Sequence, residues 1–180
     1  ALGSRAFHLD GLSATADGLT SSYAPARALE VIKVGNAGPA GAAALVLVLG
    51  IQIGALTPLL DEAWGPAIAA VLICSSRAVA ALGCTRGVRG ARKDGLGVTY
   101  TETIHPVVTA AIWMTITAAL CFGAWSLDLP WWRGLITAAA ALVATAWLLR
   151  RAVRRLGGVV GDVFGATVEV SLAVMLLSAT

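Results

Sequence analysis

An Asp-Gly-Leu triplet occurs twice near the start of the chain, at residues 10–12 and again at residues 17–19. Seven residues make about two turns of an α-helix, so on a helix Asp10 and Asp17 would lie on nearly the same face, with Ala14 between them. Carboxylates stacked in this way could hold a hard divalent cation together with phosphate oxygens, and the neighbouring glycines would let a bulky ligand approach the backbone. A solvated helix end, in which the glycines only assist packing, is the alternative that the pattern leaves open.

A second glycine-rich stretch, residues 157–165, contains Asp162. A glycine-rich turn that opens a helix presents free backbone N–H groups and the positive end of the helix dipole, which together bind anions. Small residues that permit close helix packing in a membrane explain the same glycines. The stretch therefore indicates either an anion site or a packing contact.

Two charged residues, Arg77 and Glu169, interrupt stretches that are otherwise apolar. Charges inside a membrane are costly, and they are functional candidates by default. At about 1.5 Å per residue, both would lie roughly 7–11 Å from one end of their helices. We predict either that they pair with each other or that Arg77 faces a phosphate while Glu169 orients it.

The elements that must position these residues are long apolar helices. Hydrophobic residues make up 58% of the chain and charged residues only 13%, whereas a soluble domain carries about a quarter charged residues. A membrane span needs about 20 mostly apolar residues, and the stretches that meet this requirement are 39–60, 66–84, 106–127, 130–149 and 164–180. Because these stretches are continuous and rich in Ala and Leu, we predict helices rather than barrel strands.

The predicted fold class is therefore an all-α, polytopic integral membrane protein with about five transmembrane helices and short cytoplasmic helices. We expect a single membrane domain over residues 1–180. Within it, residues 1–38 would form a cytoplasmic motif segment and residues 39–180 a five-helix membrane bundle. Residues 25–34 predict a short amphipathic helix with a proline in its first turn.

The charge of the connecting segments predicts which side of the membrane they face, because Lys and Arg are retained on the cytoplasmic side. Basic residues concentrate before the first span, between the second and third, and between the fourth and fifth: Arg5, Arg27, Lys33, Arg86, Arg89, Arg92, Lys93, Arg150, Arg151, Arg154 and Arg155. We therefore predict a bacterial inner-membrane protein in which these segments are cytoplasmic. Asp10, Asp17, Asp94 and Asp162 would then gather on one side, so that an active site would face the cytoplasm.

The same orientation accounts for the basic net charge, so we predict no nucleic-acid partner. We interpret the arginine cluster at residues 150–155 chiefly as a topology signal, with contact to anionic lipid head groups as a further role. The three cysteines share no metal-ligand or redox spacing, and we interpret them as small apolar residues that fill space. His8 and His105 lack a partner at ligand spacing, so no zinc site is predicted.

Taken together, the motifs resemble the cobalamin synthase family, whose members are adenosylcobinamide-GDP ribazoletransferases. The stretch from His8 to Leu19 resembles the family's hallmark HLDGLADTADGL. Residues 28–33 and 38–41 resemble the family's next segment, and Arg77 falls where the family has an arginine in a span. Residues 92–97 resemble a basic loop of the family. Residues 157–166, together with Glu169, resemble its motif GGxTGDxLGA. The matches follow the family's order and extend over nearly the whole chain.

The resemblance implies a transferase that completes the nucleotide loop of cobalamin. A ribose hydroxyl of α-ribazole, or of its 5′-phosphate, attacks the cobinamide-linked phosphorus of adenosylcobinamide-GDP and releases GMP, with Mg²⁺ as cofactor. Catalytic and metal-binding roles are implied for Asp10, Asp17 and Asp162. The residues expected to bind substrate or phosphate are His8, Gly11, Gly18, Lys33, Arg77, Arg92, Asp94, Gly158, Gly161 and Glu169. The expected partners are the two substrates and the lipid bilayer, with a homo-oligomer or other corrinoid-assembly proteins as further candidates.

Several positions depart from the family's pattern and keep alternatives open. Ala14 replaces the middle Asp of the first motif, Val34 and Asn36 replace an acidic residue, and Val160 replaces the Thr of the last motif. The family also begins earlier in sequence, with further hydrophobic helices. One alternative is a catalytically weakened homologue that acts as a membrane scaffold or transporter subunit. The other is a CDP-alcohol phosphotransferase, whose Asp-Gly-x-x-Ala pattern fits residues 10–14 but whose downstream aspartate pair is missing here.

Overall fold

The protein is described from a computed structural model that covers residues 6–21, 24–92 and 95–180. Over these residues the chain forms nine helices, and its only extended pairings are isolated bridges. The helices are α1 (Phe7–Ser21), α2 (Pro25–Val34), α3 (Pro39–Leu60), α4 (Gly65–Arg77), α5 (Ala80–Gly83), α6 (Leu96–Tyr100), α7 (Pro106–Ser126), α8 (Trp132–Leu156) and α9 (Gly161–Ala179). Five stretches are long and apolar enough to cross a membrane, with α4 and α5 counted as one. The predicted all-α, polytopic class is confirmed.

Proline marks the start of several helices. Pro25, Pro39 and Pro106 each occupy the first turn of α2, α3 and α7. Proline suits this position because its missing N–H would have no partner there and because its fixed φ matches a helix. The bounds of α2 and α3 agree with the sequence prediction for this reason.

The second predicted span is not one continuous helix. α4 ends at Arg77, and a short turn follows, in which the N–H of Ala78 donates to the carbonyl of Ser75 at 3.0 Å. The hydroxyl of Ser76 donates to the carbonyl of Ile73 at 2.8 Å. Side-chain bonds of this kind compete with the helical pattern and often bend helices. Arg77 is therefore placed at a break in the span.

The fourth span extends further than predicted. We expected a helix end near Leu149 and a basic loop after it, but α8 continues to Leu156 and carries the four arginines of residues 150–155 in its last turns. The prediction of a loop was wrong because arginine is a strong helix former. α8 ends only where Gly157 adopts the left-handed conformation, with φ of +80°.

The connections 61–64, 127–131 and 157–160 are short, so the spans that each of them joins are antiparallel. The connections 35–38 and 157–160 and the described residues between α5 and α7 fall on one side of the bundle, which we call the motif end. There, isolated bridges join Thr85 to Ile104 and Gly90 to Val159. The connections 61–64 and 127–131 fall on the opposite side.

α9 is the central helix of the bundle. In the most apolar stretch of α9 about 61% is buried inside the bundle, whereas in the corresponding stretch of α3 the buried share is 11%. α1 packs against α9 and α3, and it runs antiparallel to α9 because Gly11 lies against Asp162 while His8 lies against Gly165. The first motif is thus part of the bundle and reaches from the motif end toward its middle.

Candidate active site

Asp10 and Asp162 come together where α1 crosses the start of α9. A Cβ atom on Gly11 would lie only 2.6 Å from the carbonyl oxygen of Asp162, so glycine is what lets the two helices touch here. The carboxylates of Asp10 and Asp162 lie within electrostatic reach of each other, and Arg92 lies within reach of Asp162. Asp10 is exposed and Asp162 is partly exposed. Both carboxylates are therefore accessible to a ligand.

A cleft of about 150 Å³ adjoins this pair. Its lining residues are Phe7, Arg92, Gly95, Gly97, Val98, Val159, Val160, Gly161 and Asp162. The N-cap residue of α9, Val160, has no side chain that can accept a hydrogen bond from the first N–H groups of the helix. The positive end of the helix dipole therefore lies beside the guanidinium of Arg92. The cleft is smaller than the roughly 300–1,000 Å³ typical of sites for whole drug-sized ligands. Its chemistry and size suit a phosphate group of a larger ligand.

The loop that carries Arg92 is held against the start of α9 by backbone pairing. The N–H of Val159 donates to the carbonyl of Arg89 at 2.8 Å, and the N–H of Ala91 donates to the carbonyl of Val159 at 3.0 Å. A Cβ atom on Gly158 would lie 2.6 Å from the carbonyl oxygen of Arg89, so the close approach of the two loops requires glycine. The guanidinium of Arg92 also donates to the carbonyl of Leu29 in α2. These contacts fix Arg92 beside the cleft.

Asp17 has a different environment from the one predicted. Its carboxylate accepts hydrogen bonds from the N–H of Gly38 at 2.7 Å and from the N–H of Gly41 at 2.9 Å. These N–H groups belong to the first turn of α3, whose own N-cap residue, Gly38, has no side chain. Asp17 thus caps α3 from another helix, and it is only 6% exposed. Along α1 it lies about 10 Å from Asp10.

Of the three aspartates that were predicted to hold a cation, the structure brings two together, Asp10 and Asp162. Among the described residues, no group of three or more His, Cys, Asp and Glu side chains is arranged for a metal. A magnesium ion commonly uses one or two carboxylates together with substrate phosphates and water. Asp10 and Asp162 fit that requirement. Asp17 does not, because both of its oxygens already accept backbone N–H groups.

A second polar cluster surrounds Glu169 deeper in the bundle. The guanidinium of Arg77 lies 3.5 Å from the Glu169 carboxylate, so the two side chains are in contact, as one of the two predicted arrangements requires. The side-chain amide of Gln52 donates to the same carboxylate at 3.0 Å and to the Glu169 carbonyl at 3.1 Å. The Nδ1 atom of His8 is 3.9 Å from the carboxylate. Four helices, α1, α3, α4 and α9, therefore meet at one buried acid.

His8 is neutral at pH 7 in this cluster. Burial lowers the pKa of His8, and the positive charge of Arg77 lowers it further, while the negative charge of Glu169 opposes both effects. The contact between His8 and Glu169 is therefore not an ion pair at neutral pH. A neutral imidazole keeps one nitrogen as a hydrogen-bond acceptor.

The sequence prediction missed Gln52, although one signal was available. Gln52 is an amide in the middle of α3, a span without charged residues. Buried polar groups in a membrane need a partner, so a single amide in such a stretch indicates a contact with another helix. Thr57 also lies in this span, but its hydroxyl donates to a carbonyl of its own helix.

Two further predicted residues, Lys33 and Gly18, lie away from the Asp10–Asp162 pair. Lys33 is exposed in the last turn of α2, in a shallow groove with Arg27 and Asn36. Gly18 packs against the side chain of Ile32 and serves the contact between α1 and α2. Asp94 lies outside the described residues, as do Lys93 and Arg5.

Comparison with known proteins adds an independent observation. A family model described as cobalamin-5-phosphate synthase matches residues 1–180. Proteins named adenosylcobinamide-GDP ribazoletransferase are similar to the chain, including one from Nocardioides sp. that is 42% identical over 178 residues, or 99% of this chain and 67% of the relative. One from Frankia casuarinae is 35% identical over 98% of this chain and 66% of the relative.

A relative of the same name from Syntrophobacter fumaroxidans is 33% identical over 97% of this chain and 67% of its own length. The chain thus spans about two thirds of the length of the relatives that it matches. No solved structure matches it.

Proposed function

Because the chain belongs to the cobalamin-5-phosphate synthase family, we propose that it is an enzyme with the activity of an adenosylcobinamide-GDP ribazoletransferase, which completes the nucleotide loop of cobalamin. The family match over the whole chain is the observation that carries this proposal. The relatives with that name, at 42% and 35% identity, support it. The paired carboxylates beside an anion-binding cleft supply suitable chemistry.

The reaction transfers a phosphoryl group from one oxygen to another. A ribose hydroxyl of α-ribazole, or of its 5′-phosphate, forms a bond to the cobinamide-linked phosphorus of adenosylcobinamide-GDP. The bond from that phosphorus to the GMP oxygen breaks, the hydroxyl proton is lost to a base or to water, and GMP leaves. In such transfers most of the catalysis consists of positioning and electrostatic stabilisation.

Asp10 and Asp162 would hold Mg²⁺ at the mouth of the cleft. When bound, the metal supplies charge that neutralises the diphosphate and stabilises the departing GMP. Arg92 and the start of α9, which line the same cleft, would bind phosphate oxygens, because a guanidinium and helix N–H groups both donate to phosphate. Gly161 lines the cleft and leaves the backbone there open to the ligand, whereas Gly158 allows the loop that carries Arg92 to pack closely beside it.

Arg77 and Glu169 would act together in a second role. Glu169 is buried and holds Arg77 through one N–H, while the Arg77 side chain is 42% exposed. The remaining guanidinium N–H groups can therefore donate to a phosphate of the substrate. Gln52 fixes the Glu169 carboxylate from the other side. In this arrangement Glu169 is a positioning residue and Arg77 touches the substrate.

We also propose that the motif end faces the cytoplasm of a bacterial inner membrane. Basic residues concentrate at that end, in α2, in the connection after α5 and in the last turns of α8, and the positive-inside rule then sets the orientation. Fusion of a fluorescent protein or of alkaline phosphatase after Glu62, which follows one span, and after Gly157, which follows four spans, tests this. We expect fluorescence only from the Gly157 fusion and phosphatase activity only from the Glu62 fusion, and the reverse pattern would overturn the orientation.

The activity itself is tested in a strain that lacks its cobalamin synthase and is supplied with cobinamide and the lower base. The chain is expressed alone and also joined to the preceding segment of the Nocardioides relative. Growth that depends on Asp10 and Asp162 is the expected result, with Asp10→Asn and Asp162→Asn as the test variants. Asp61→Asn is the matched control, because Asp61 is an exposed aspartate at the opposite end. Absence of growth from both forms, with the protein present in the membrane, would contradict the proposal.

A further inference from the structure

The outer face of α8 carries a continuous stripe of side chains at helical spacing. Val143, Trp147, Arg150, Arg151 and Arg154 recur every three or four residues, so they lie on one side of the helix. An open groove of about 740 Å³ runs along this side, and its lining residues are Leu142, Val143, Ala146, Trp147, Arg150, Arg151, Arg154 and Arg155. One half of the groove is apolar and the other half is cationic.

Three of the guanidinium groups in the cationic half have no counter-ion among the residues that the structure describes. Arg150, Arg151 and Arg154 are exposed, and no described residue forms a hydrogen bond or ion pair with them. Arg155 differs, because it is directed inward and donates to the carbonyl of Leu19 in α1 at 3.4 Å. Three positive charges therefore stand together on one face. Such a surface attracts an anionic ligand.

The apolar half belongs to the membrane-facing part of a span. Val143 is 70% exposed and Trp147 is 62% exposed, although both lie in a helix that is apolar enough to cross a membrane. Trp147 marks the boundary between the apolar and the charged halves of the groove. Tryptophan is enriched at the level of lipid head groups, where its ring contacts both environments.

We propose that this groove is a binding site for an anionic glycerophospholipid. The lipid phosphate would accept hydrogen bonds from Arg150, Arg151 and Arg154, because guanidinium matches phosphate geometry and is weakly hydrated. An acyl chain of the same lipid would lie along Val143 and Trp147. Charge complementarity and the position of Trp147 at the head-group level together indicate a lipid.

A topology signal alone does not require this arrangement. The positive-inside rule counts Lys and Arg near the end of a span, wherever they point. Here the arginines lie in the helix and line up with an exposed tryptophan and an exposed valine. The site is also separate from the proposed catalytic cleft, since the two share no lining residue. The proposal is therefore independent of the enzymatic function.

Quenching of tryptophan fluorescence by brominated lipids tests the site on the intact chain. The protein is reconstituted in phosphatidylcholine bilayers that contain either brominated phosphatidylglycerol or brominated phosphatidylcholine at the same minor fraction. Trp147→Phe, which changes one exposed side chain, isolates the signal of Trp147 by subtraction. We expect phosphatidylglycerol to be enriched at least fivefold next to Trp147, because each arginine near an anionic surface contributes a factor of about five.

A matched pair of double variants separates a specific site from general charge. Arg150→Gln with Arg154→Gln should lower the enrichment at least about fivefold. Arg86→Gln with Arg89→Gln removes the same charge from exposed positions at the same end of the bundle and should leave the enrichment unchanged. Arg151→Gln is a milder variant for use if the first double variant does not reach the membrane.

Three results would overturn the proposal. Equal quenching by the two brominated lipids would show that the groove has no preference for an anionic head group. Equal losses in the two double variants would attribute the preference to overall charge. Displacement of phosphatidylglycerol by inorganic diphosphate at millimolar levels would assign the arginines to a soluble phosphate ligand.

Discussion

The two Asp-Gly-Leu triplets have the same sequence and lie on one helix, yet their aspartates differ in exposure and in the groups that they contact. Asp10 is exposed and stands beside Asp162 at the cleft. Asp17 is buried, and its carboxylate accepts the N–H groups of Gly38 and Gly41 at the start of α3. The first aspartate is thus available to a ligand, whereas the second holds two helices together. A repeated motif on one helix need not repeat a role.

The glycines of the two triplets also contact different parts of the molecule. Gly11 meets the backbone of Asp162, which is at the candidate active site. Gly18 meets the side chain of Ile32, which belongs to the packing of α2 on α1. The first triplet therefore joins α1 to α9, which carries Asp162. The second triplet joins α1 to α2.

Replacement of Asp17 should have the largest effect on stability. Asp17→Ala leaves two backbone N–H groups of α3 without their charged acceptor, and hydrogen bonds to charged groups contribute about 1.5–3 kcal/mol each. We expect a loss of about 3–5 kcal/mol in the free energy of unfolding, measured by denaturant titration of the protein in detergent micelles. Asp10→Ala is the control and should change stability by less than about 0.5 kcal/mol, because Asp10 is exposed. Equal stability of the two variants would remove the distinction between the triplets.

For activity, we expect replacement of Asp10 to have a larger effect than replacement of Asp17. Asp10→Asn should lower the rate at least about 100-fold, or about 2.7 kcal/mol of transition-state stabilisation, because under the proposed function the charge of Asp10 holds Mg²⁺ beside the substrate phosphates. It should also raise the Mg²⁺ concentration needed for half-maximal rate. Asp17→Asn should leave that concentration unchanged in the protein that remains folded. A raised Mg²⁺ requirement in Asp17→Asn, with wild-type stability, would restore the metal role that the sequence predicted for Asp17.

The contrast between the triplets also shows what the sequence could predict. Helix periodicity placed Asp10 and Asp17 on one face of α1, and the proline starts located α2 and α3. The partners could not be predicted, because the cap of α3 joins residues 21 and 24 positions apart through tertiary packing. Asp162 was identified through its own motif, but its contact with Gly11 depends on how α1 crosses α9.

The break in the second span and the length of α8 were missed for local reasons. A count of apolar residues allows the second span to continue past Arg77 and gives no information on where the helix bends. The same count ended the fourth span where the cluster of arginines begins, although arginine continues a helix readily. Ala14 is informative in another way. It is 6% exposed within an apolar cluster, so the departure from the family pattern is accommodated there as a packing residue.

The two glycines allow a smaller but cleaner comparison. On Gly11, a Cβ atom would lie 2.6 Å from a backbone oxygen, which can move only with the helix. On Gly18, the atoms within 3.0 Å are Cγ1 and Cδ1 of the Ile32 side chain, at 2.3 and 2.6 Å, and a side chain can be displaced without a shift of the whole helix backbone. Overpacking costs about 1–3 kcal/mol, and we expect Gly11→Ala to lie near the upper value and Gly18→Ala near the lower. Gly11→Ala should also reduce activity, because it displaces Asp162. A larger loss of activity in Gly18→Ala would contradict this ranking.

The smallest expected effect concerns His8, which precedes the first triplet and has no counterpart before the second. The pKa of His8 is lowered in the folded protein by burial and by the charge of Arg77. In the unfolded chain a histidine takes up its proton near its ordinary pKa of about 6.5, so below that pH the unfolded state binds more protons and the folded state loses stability. Above that pH the group is neutral in both states and contributes nothing. Between pH 7 and pH 5.5 the unfolding temperature of the wild type should therefore fall roughly one or two degrees more than that of His8→Gln. An equal fall in the two proteins would mean that His8 is solvated like a histidine in an unfolded chain, and the polar cluster at Glu169 would then not extend to the first triplet.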